Sequence, residues 1–168
     1  MGLKPGVETA PRATGASSTL LGIEPDAAFA TFTDLARLPR WNEKMTRVVA
    51  LPDQVEPGAE WTVEFAMFGR RWLSRSRVTI LDTAGRRFEY RTHTDDGNPS
   101  FADWHWGVEP EGNGCRVHVS WELYALTFWR RVLFSRVRAR QLTHKEVPAS
   151  LAAMAKAATT AGRGQISP

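Results

Sequence analysis

The stretch "FADWHWGV", residues 101–108, decides which way the sheet of this protein faces. It alternates residue by residue, as a half-buried strand does. Phe101, Asp103 and His105 fall on one side, and Ala102, Trp104, Trp106 and Val108 on the other. A buried tryptophan removes roughly 200 Å² from water, about 5 kcal/mol at ~25 cal/mol per Å². Turning Asp103 and His105 inward would expose two indoles and bury a carboxylate, which costs several kcal/mol more when it is unpaired. The tryptophans therefore point to the core, and Asp103 and His105 to the outside.

The same alternation extends to both sides. "EWTVEFAM" places Trp61, Val63, Phe65 and Met67 together, and "RWLSRSRVTIL" places Trp72, Ser74, Ser76, Val78 and Ile80 opposite Arg75 and Arg77. "RFEYRTH" sets Phe88, Tyr90 and Thr92 against Arg87, Glu89, Arg91 and His93, and "RVHVSWELY" sets Val117, Val119, Trp121 and Leu123 against His118, Ser120 and Glu122. "RVVAL" is a further short strand. The links "EPGA", "FGR", "TAGR", "DDGNP" and "EGNG" carry turn chemistry and are mostly short, so neighbouring strands pair antiparallel. An antiparallel sheet with one covered face reads this way.

Upstream, "STLLGIE" reads as a strand, and Pro25 stands at a helix N1 position before "DAAFATFTDLARL", whose spacing is helical through Ala28, Phe32 and Leu35. Pro39 punctuates that helix, and "RWNEKM" forms a second short helix or turn. Downstream, the period becomes helical from about Leu126 to about Thr159, with Pro148 inside and a kink expected there. The order is strand, two short helices, six antiparallel strands and one long C-terminal helix, an α+β arrangement. Residues 1–16 and the tail 161–168 are rich in small and polar residues and are expected to be loose, leaving 17–160 as one domain.

Composition narrows the classes. With 168 residues, one domain with a real core is expected. One cysteine, Cys115, excludes an internal disulfide and a thiolate metal cluster and fits a reducing, cytoplasmic setting. The N-terminal residues have no apolar core resembling a signal peptide, and no window approaches the ~18 apolar residues that span a bilayer. The net charge of +4 permits an acidic partner without requiring one. His93, His105 and His118 lie on the outer face at spacings that match no metal site. No cofactor motif is present. Nucleic-acid binding is disfavoured because the aromatics lie on the buried face, where bases cannot stack on them.

The element order, with "IEPDAAFATFTDLARLPRW", "PGAEWTV" and "EVPASLAAMAKAA", resembles the START-like (SRPBCC) superfamily, and within it the bacterial polyketide cyclase/dehydrase-type group. The similarity covers about residues 17–158. It implies a helix-grip fold: a curved antiparallel sheet of about seven strands wrapped around the long C-terminal helix, two short helices after strand 1, and a cavity between sheet and helix. It also implies an apolar ligand, a hydrophobic small molecule or lipid, and leaves the chemistry open.

On that fold the floor of the cavity is expected to hold Trp61, Phe65, Trp72, Ser74 and Ser76, with Phe88, Tyr90, Trp104, Trp106 and Trp121 beside them. At 100° per residue, Trp129, Leu133, Val147, Leu151, Met154 and Ala158 share one helical stripe, and Arg136, Arg140 and His144 interrupt it. The sheet offers no inner carboxylate to pair them. Three readings stay open: cations at a wet mouth, a ligand that supplies an acidic head group, or an error of register, with the helix beginning later than Leu126 or Pro148 rotating one half against the other. There is no Ser-His-Asp set, carboxylate pair or metal cluster; a cyclase or dehydratase here would rely on shape, with His144, Tyr90 or Arg140 as the polar groups. "LTFWRRVLFSRVRAR" mixes aromatics and arginines, so a transient contact with an anionic membrane surface through Arg130 and Arg131 is a further alternative. Nothing in the sequence fixes the oligomeric state.

Overall fold

The computed structural model describes residues 10–67, 69–127 and 135–163, without the side chains at 67, 135, 136 and 158–163. Strand β1 (Ala13–Leu21) leads into α1 (Pro25–Thr33) and a 3₁₀ helix (Leu35–Arg40). Then come β2 (Met45–Ala50), β3 (Glu60–Met67), β4 (Arg70–Asp82), β5 (Arg87–Thr94), β6 (Phe101–Glu111) and β7 (Gly114–Tyr124). The C-terminal helix runs as α2 (Ser135–Gln141), a π-turn (Leu142–Glu146) and α3 (Val147–Arg163). The strands form one seven-stranded sheet in the order β1-β7-β6-β5-β4-β3-β2, antiparallel throughout. This is the helix-grip arrangement expected from the sequence.

The face assignments hold with one exception. Trp106 and Val108 are buried, and Trp104 pairs across the ladder with Trp121 and Tyr90 on the concave side. Asp103 and His105 sit on the convex side, where each finds a partner. Arg91 donates two hydrogen bonds to Asp103 at 2.7 and 2.8 Å, and His105 Nδ1 lies 3.1 Å from Glu89. Similar pairs cross the rest of the convex face, including Arg77 with Glu60, and Arg47 and Arg71 with Glu64. The exception is Ile80. A β-bulge between Val78 and Ile80 inserts an extra residue, so Leu81 pairs with Phe88 and packs on the core while Ile80 pairs with Glu89. Strict alternation, which had set Ile80 beside Val78, fails there.

Strand β1 begins at Ala13, within the segment expected to be loose. Its small residues are admitted by the pairing with β7, in which Gly15 lies opposite Trp121. A Cβ on Gly15 would sit 2.3 Å from Cζ2 of Trp121, so the indole lies directly across the glycine. The absent side chain makes room for the large one.

Helix α1 starts at Pro25 and buries Ala28, Phe29 and Phe32. Phe32 meets Trp106 at 5.2 Å between ring centroids, and Trp41, just after the 3₁₀ helix, meets Trp106 edge-on at 5.7 Å. α3 packs against α1, the 3₁₀ helix and β1. β1 is one edge of the sheet and the 3₁₀ helix packs on β2, the other edge, so the helix is held between the two.

The C-terminal helix departs from the expected stripe. Leu126 and Thr127 are not helical; the Leu126 N–H donates to Ser100 Oγ at 3.0 Å, tying this segment to the β5–β6 loop. Pro148 has no N–H to donate and crowds the preceding turn. The helix accommodates it with the π-turn, where the Val147 N–H reaches back to the Leu142 carbonyl. A π-turn inserts one residue and rotates what precedes it. The buried positions are Leu142, Val147, Leu151 and Met154, while Arg140 and His144 are exposed. The exposure of Arg140 and His144 accords both with a register change at Pro148 and with cations whose heads stand in water. The Arg136 side chain, and Trp129, Arg130, Arg131 and Leu133, lie outside the described residues.

Candidate functional site

The concave face divides into a sealed zone and an accessible one. Trp61, Phe88, Trp106, Trp121, Val147 and Leu151 are each less than 8% exposed and belong to one core cluster. Trp61 stacks on Phe88 at 6.1 Å and meets Tyr90 edge-on at 5.0 Å. These rings fill space. The indole N–H groups of Trp41 and Trp61 are buried without an acceptor. Ser74 and Ser76 are buried too, and their hydroxyls are satisfied locally: Ser74 Oγ by the His93 carbonyl at 3.3 Å, Ser76 Oγ by Thr92 Oγ1 at 2.7 Å.

Four of the expected floor residues remain half-buried: Phe65, Trp72, Tyr90 and Trp104. They form two stacks on the same face. Phe65 and Trp72 lie 5.6 Å apart and nearly parallel, 8° between planes. Tyr90 and Trp104 lie 6.3 Å apart at 18°. Between them β4, β5 and β6 carry small side chains, Ser74, Ser76, Thr92 and Ala102, while β3 sets Val63 and Trp61 beside the two serines. Large rings flank this row of small side chains, a trough in side-chain relief whose floor is closed to solvent at Ser74 and Ser76. Its chemistry is apolar with hydroxyls. Burial pushes the Tyr90 hydroxyl well above the usual phenol range, against the opposing effect of a hydrogen bond with Trp106, so it stays protonated near neutral pH.

Of the proposed polar trio, only Tyr90 reaches this face; Arg140 and His144 face solvent on the helix. Among the described residues no group of three His, Cys, Asp or Glu side chains converges. His105 is engaged by Glu89, and His118 lies over Gly107, where a Cβ would come within 2.2 Å of its Nε2. Cys115 is buried, and burial raises its thiol pKa, which leaves it poorly nucleophilic.

Beside the trough, a cleft of about 710 Å³ opens between the β3–β4 turn, the start of β2 and the π-turn region of the helix. Arg70 and Lys145 line it together with Lys44. Sequence reasoning missed these residues because the β3–β4 turn is distant in sequence from the helix, and only the fold brings them together.

Residues 13–159 match the model of the family described as polyketide cyclase/dehydrase and lipid transport. The chain belongs to that family. No curated protein matches it by sequence. Among solved structures, the Zhui aromatase/cyclase from Streptomyces sp. R1128 is similar, with a TM-score of 0.72, 13% identity, and coverage of 93% of this chain and 99% of that one. Ara h 8.0201 is similar with a TM-score of 0.69 and 12% identity over 88% of this chain and 98% of its own. TTHA0849 from Thermus thermophilus gives 0.68 and 16% over 89% and 99%. At these identities the likeness is one of fold. What this member of the polyketide cyclase/dehydrase and lipid transport family adds is its own arrangement of rings and cations. No helix among its described residues is long and apolar enough to cross a membrane.

Proposed function

We propose that this protein binds a hydrophobic small molecule or lipid in the trough between the Tyr90–Trp104 and Phe65–Trp72 stacks, beneath the C-terminal helix. The carrying observation is that these four rings stay half-buried on a face whose other large rings are sealed. A folded core buries its aromatics when it can, so an accessible aromatic stack under a helix fits a ligand surface. The family description, with lipid transport beside cyclase chemistry, supports the same reading. Trp61, Phe88, Trp106 and Trp121 then act as the wall that holds the trough in shape, with Val147 and Leu151 as its roof. Location in the cytoplasm of a bacterium is part of this proposal.

A cyclase or dehydratase activity is the second reading. It rests on Tyr90, whose hydroxyl stays protonated and is hydrogen-bonded with Trp106, and on confinement of a reactive chain. Binding is favoured because no described general base reaches the trough.

Native mass spectrometry of the purified protein tests the proposal, with titration of a fluorescent apolar probe. A co-purifying apolar ligand, and probe affinity reduced about tenfold by Trp104→Ala or Trp72→Ala, is the expected result. Failure of both ligand and probe to bind the folded protein overturns it. Turnover of an aromatic polyketide mimic that Tyr90→Phe abolishes would favour the enzyme.

A further inference from the structure

The cleft beside the trough carries charge that the protein leaves uncompensated. Six charged residues line it: Glu43, Lys44, Arg70, Arg71, Lys145 and Glu146. Arg71 is engaged by Glu64 at 3.2 Å, and Glu146 by Arg138, which reaches it across the π-turn. Lys44, Arg70 and Lys145 have no carboxylate partner among the described residues, and Glu43 is the one acid left to set against them. This contrasts with the convex face, where arginine after arginine is paired. The surplus is concentrated where a walled cleft holds cations from three separate elements within one space, which raises the local potential for an anion.

The cations also stand in a defined relation to the trough. Residues 70, 72 and 74 alternate onto the concave side of β4, so Arg70 emerges from the same face as Trp72. Two residues along a strand span about 7 Å. Arg70 therefore marks the end of a flat apolar surface made by Phe65 and Trp72. Across the cleft, Lys145 projects from the π-turn that Pro148 imposes.

We propose that this cleft takes the anionic head, a carboxylate or phosphate, of an amphipathic ligand whose apolar body lies on Phe65 and Trp72. The inference rests on the apolar-ligand reading above and adds the ligand's class and orientation. It assigns head-group recognition to Arg70, Lys145 and Lys44, and leaves Arg140 and His144 without that role.

The test uses laurate, its uncharged methyl ester, and phosphatidylcholine vesicles with or without phosphatidylglycerol. Binding is read by tryptophan fluorescence and vesicle sedimentation. Wild-type protein is expected to bind laurate about tenfold more tightly than the ester, since hydrogen bonds to charged groups are the stronger ones. The double variant Arg70→Gln/Lys145→Gln is expected to lose that preference while keeping its ester affinity and its thermal midpoint, both side chains being exposed. Binding to anionic vesicles alone, lost in the double variant, assigns the same anion chemistry to a bilayer headgroup. Equal affinity for acid and ester overturns the head-group assignment and leaves the apolar site standing, as does a preference that survives the double variant. Absence of binding to every probe overturns both.

Discussion

Gly15→Ala puts the packing of the sheet's edge under direct test. A methyl group at this position would lie 2.3, 2.6 and 3.0 Å from Cζ2, Cε2 and Nε1 of Trp121. Ordinary contacts between carbon atoms are about 3.5–4.0 Å, so the overlap exceeds 1 Å at the nearest atom. Trp121 is 1% exposed and pairs with Trp104 on β6, so the indole has nowhere to swing. Relief must come from β1, which among the described residues is an edge strand paired with β7 and can lift locally by giving up ladder hydrogen bonds. Overpacking costs about 1–3 kcal/mol, and removing a strand glycine returns about 0.5 kcal/mol of backbone entropy. The expected net loss is about 2 kcal/mol, or a fall of about 4–8 °C in Tm for a chain of this size. Urea and thermal unfolding measure it, with Thr14→Ala on the exposed side of β1 as the control. In a Trp121→Phe background the smaller ring leaves room, so the same substitution should cost about 1 kcal/mol less. A Gly15→Ala protein as stable as wild type, or a penalty unchanged beside Phe at position 121, refutes the reasoning.

Two further outcomes follow from the helix and the convex face. Leu142→Ala should destabilise the protein by about 2–5 kcal/mol, whereas His144→Ala and Arg140→Ala should change stability by less than about 0.5 kcal/mol in urea unfolding; the opposite ranking would restore the uninterrupted helical stripe. Acid should weaken the fold: hydrogen bonds from Thr46 and Arg47 hold the Glu64 carboxyl below its usual range, and Arg116 does the same for Glu111. At Glu89, burial acts to raise the pKa, but hydrogen bonds from Arg87 and His105 outweigh it and the net direction is down. Folded carboxylates with depressed pKa values stabilise the native state above the ordinary carboxylate range and lose that contribution as pH falls through it, so the urea midpoint should decline below about pH 4.5. A midpoint that rises toward acid contradicts this.

The sheet was legible because alternation is a short-range property. At FADWHWGV the gain from turning two indoles toward the concave face outweighs every alternative, and the ladder keeps that choice in register on its neighbours. The bulge after Val78 was not legible, since an extra residue in one strand is tolerated by its partner and leaves no mark in composition. The start of β1 was hidden because Ala13, Gly15 and Ser17 have little β-propensity of their own; Trp121, far along the chain, gives Gly15 its reason. The helical stripe misled at Arg140 and His144 because counting at 100° per residue assumes an unbroken α-helix, and Pro148 converts the turn before it. For the site, the aromatic residues were identified on the right face, but which of them seal the core and which stay accessible depends on Phe32, Trp41 and the helix arriving from elsewhere. The cationic cleft depends on three segments meeting, which no local pattern encodes.

The position of β1 in the sheet has a consequence for how the chain is made. Among the described strands its partner is β7, so during synthesis this strand waits while five others are produced and zipped into a meander. A long-waiting strand with bare hydrogen-bonding groups is an invitation to aggregate. The strand that waits reads ATGASSTLL, with apolar bulk confined to its last two residues. Small, weakly sticky side chains that look unpromising as sheet formers are well suited to a segment that must stay harmless until its docking place exists.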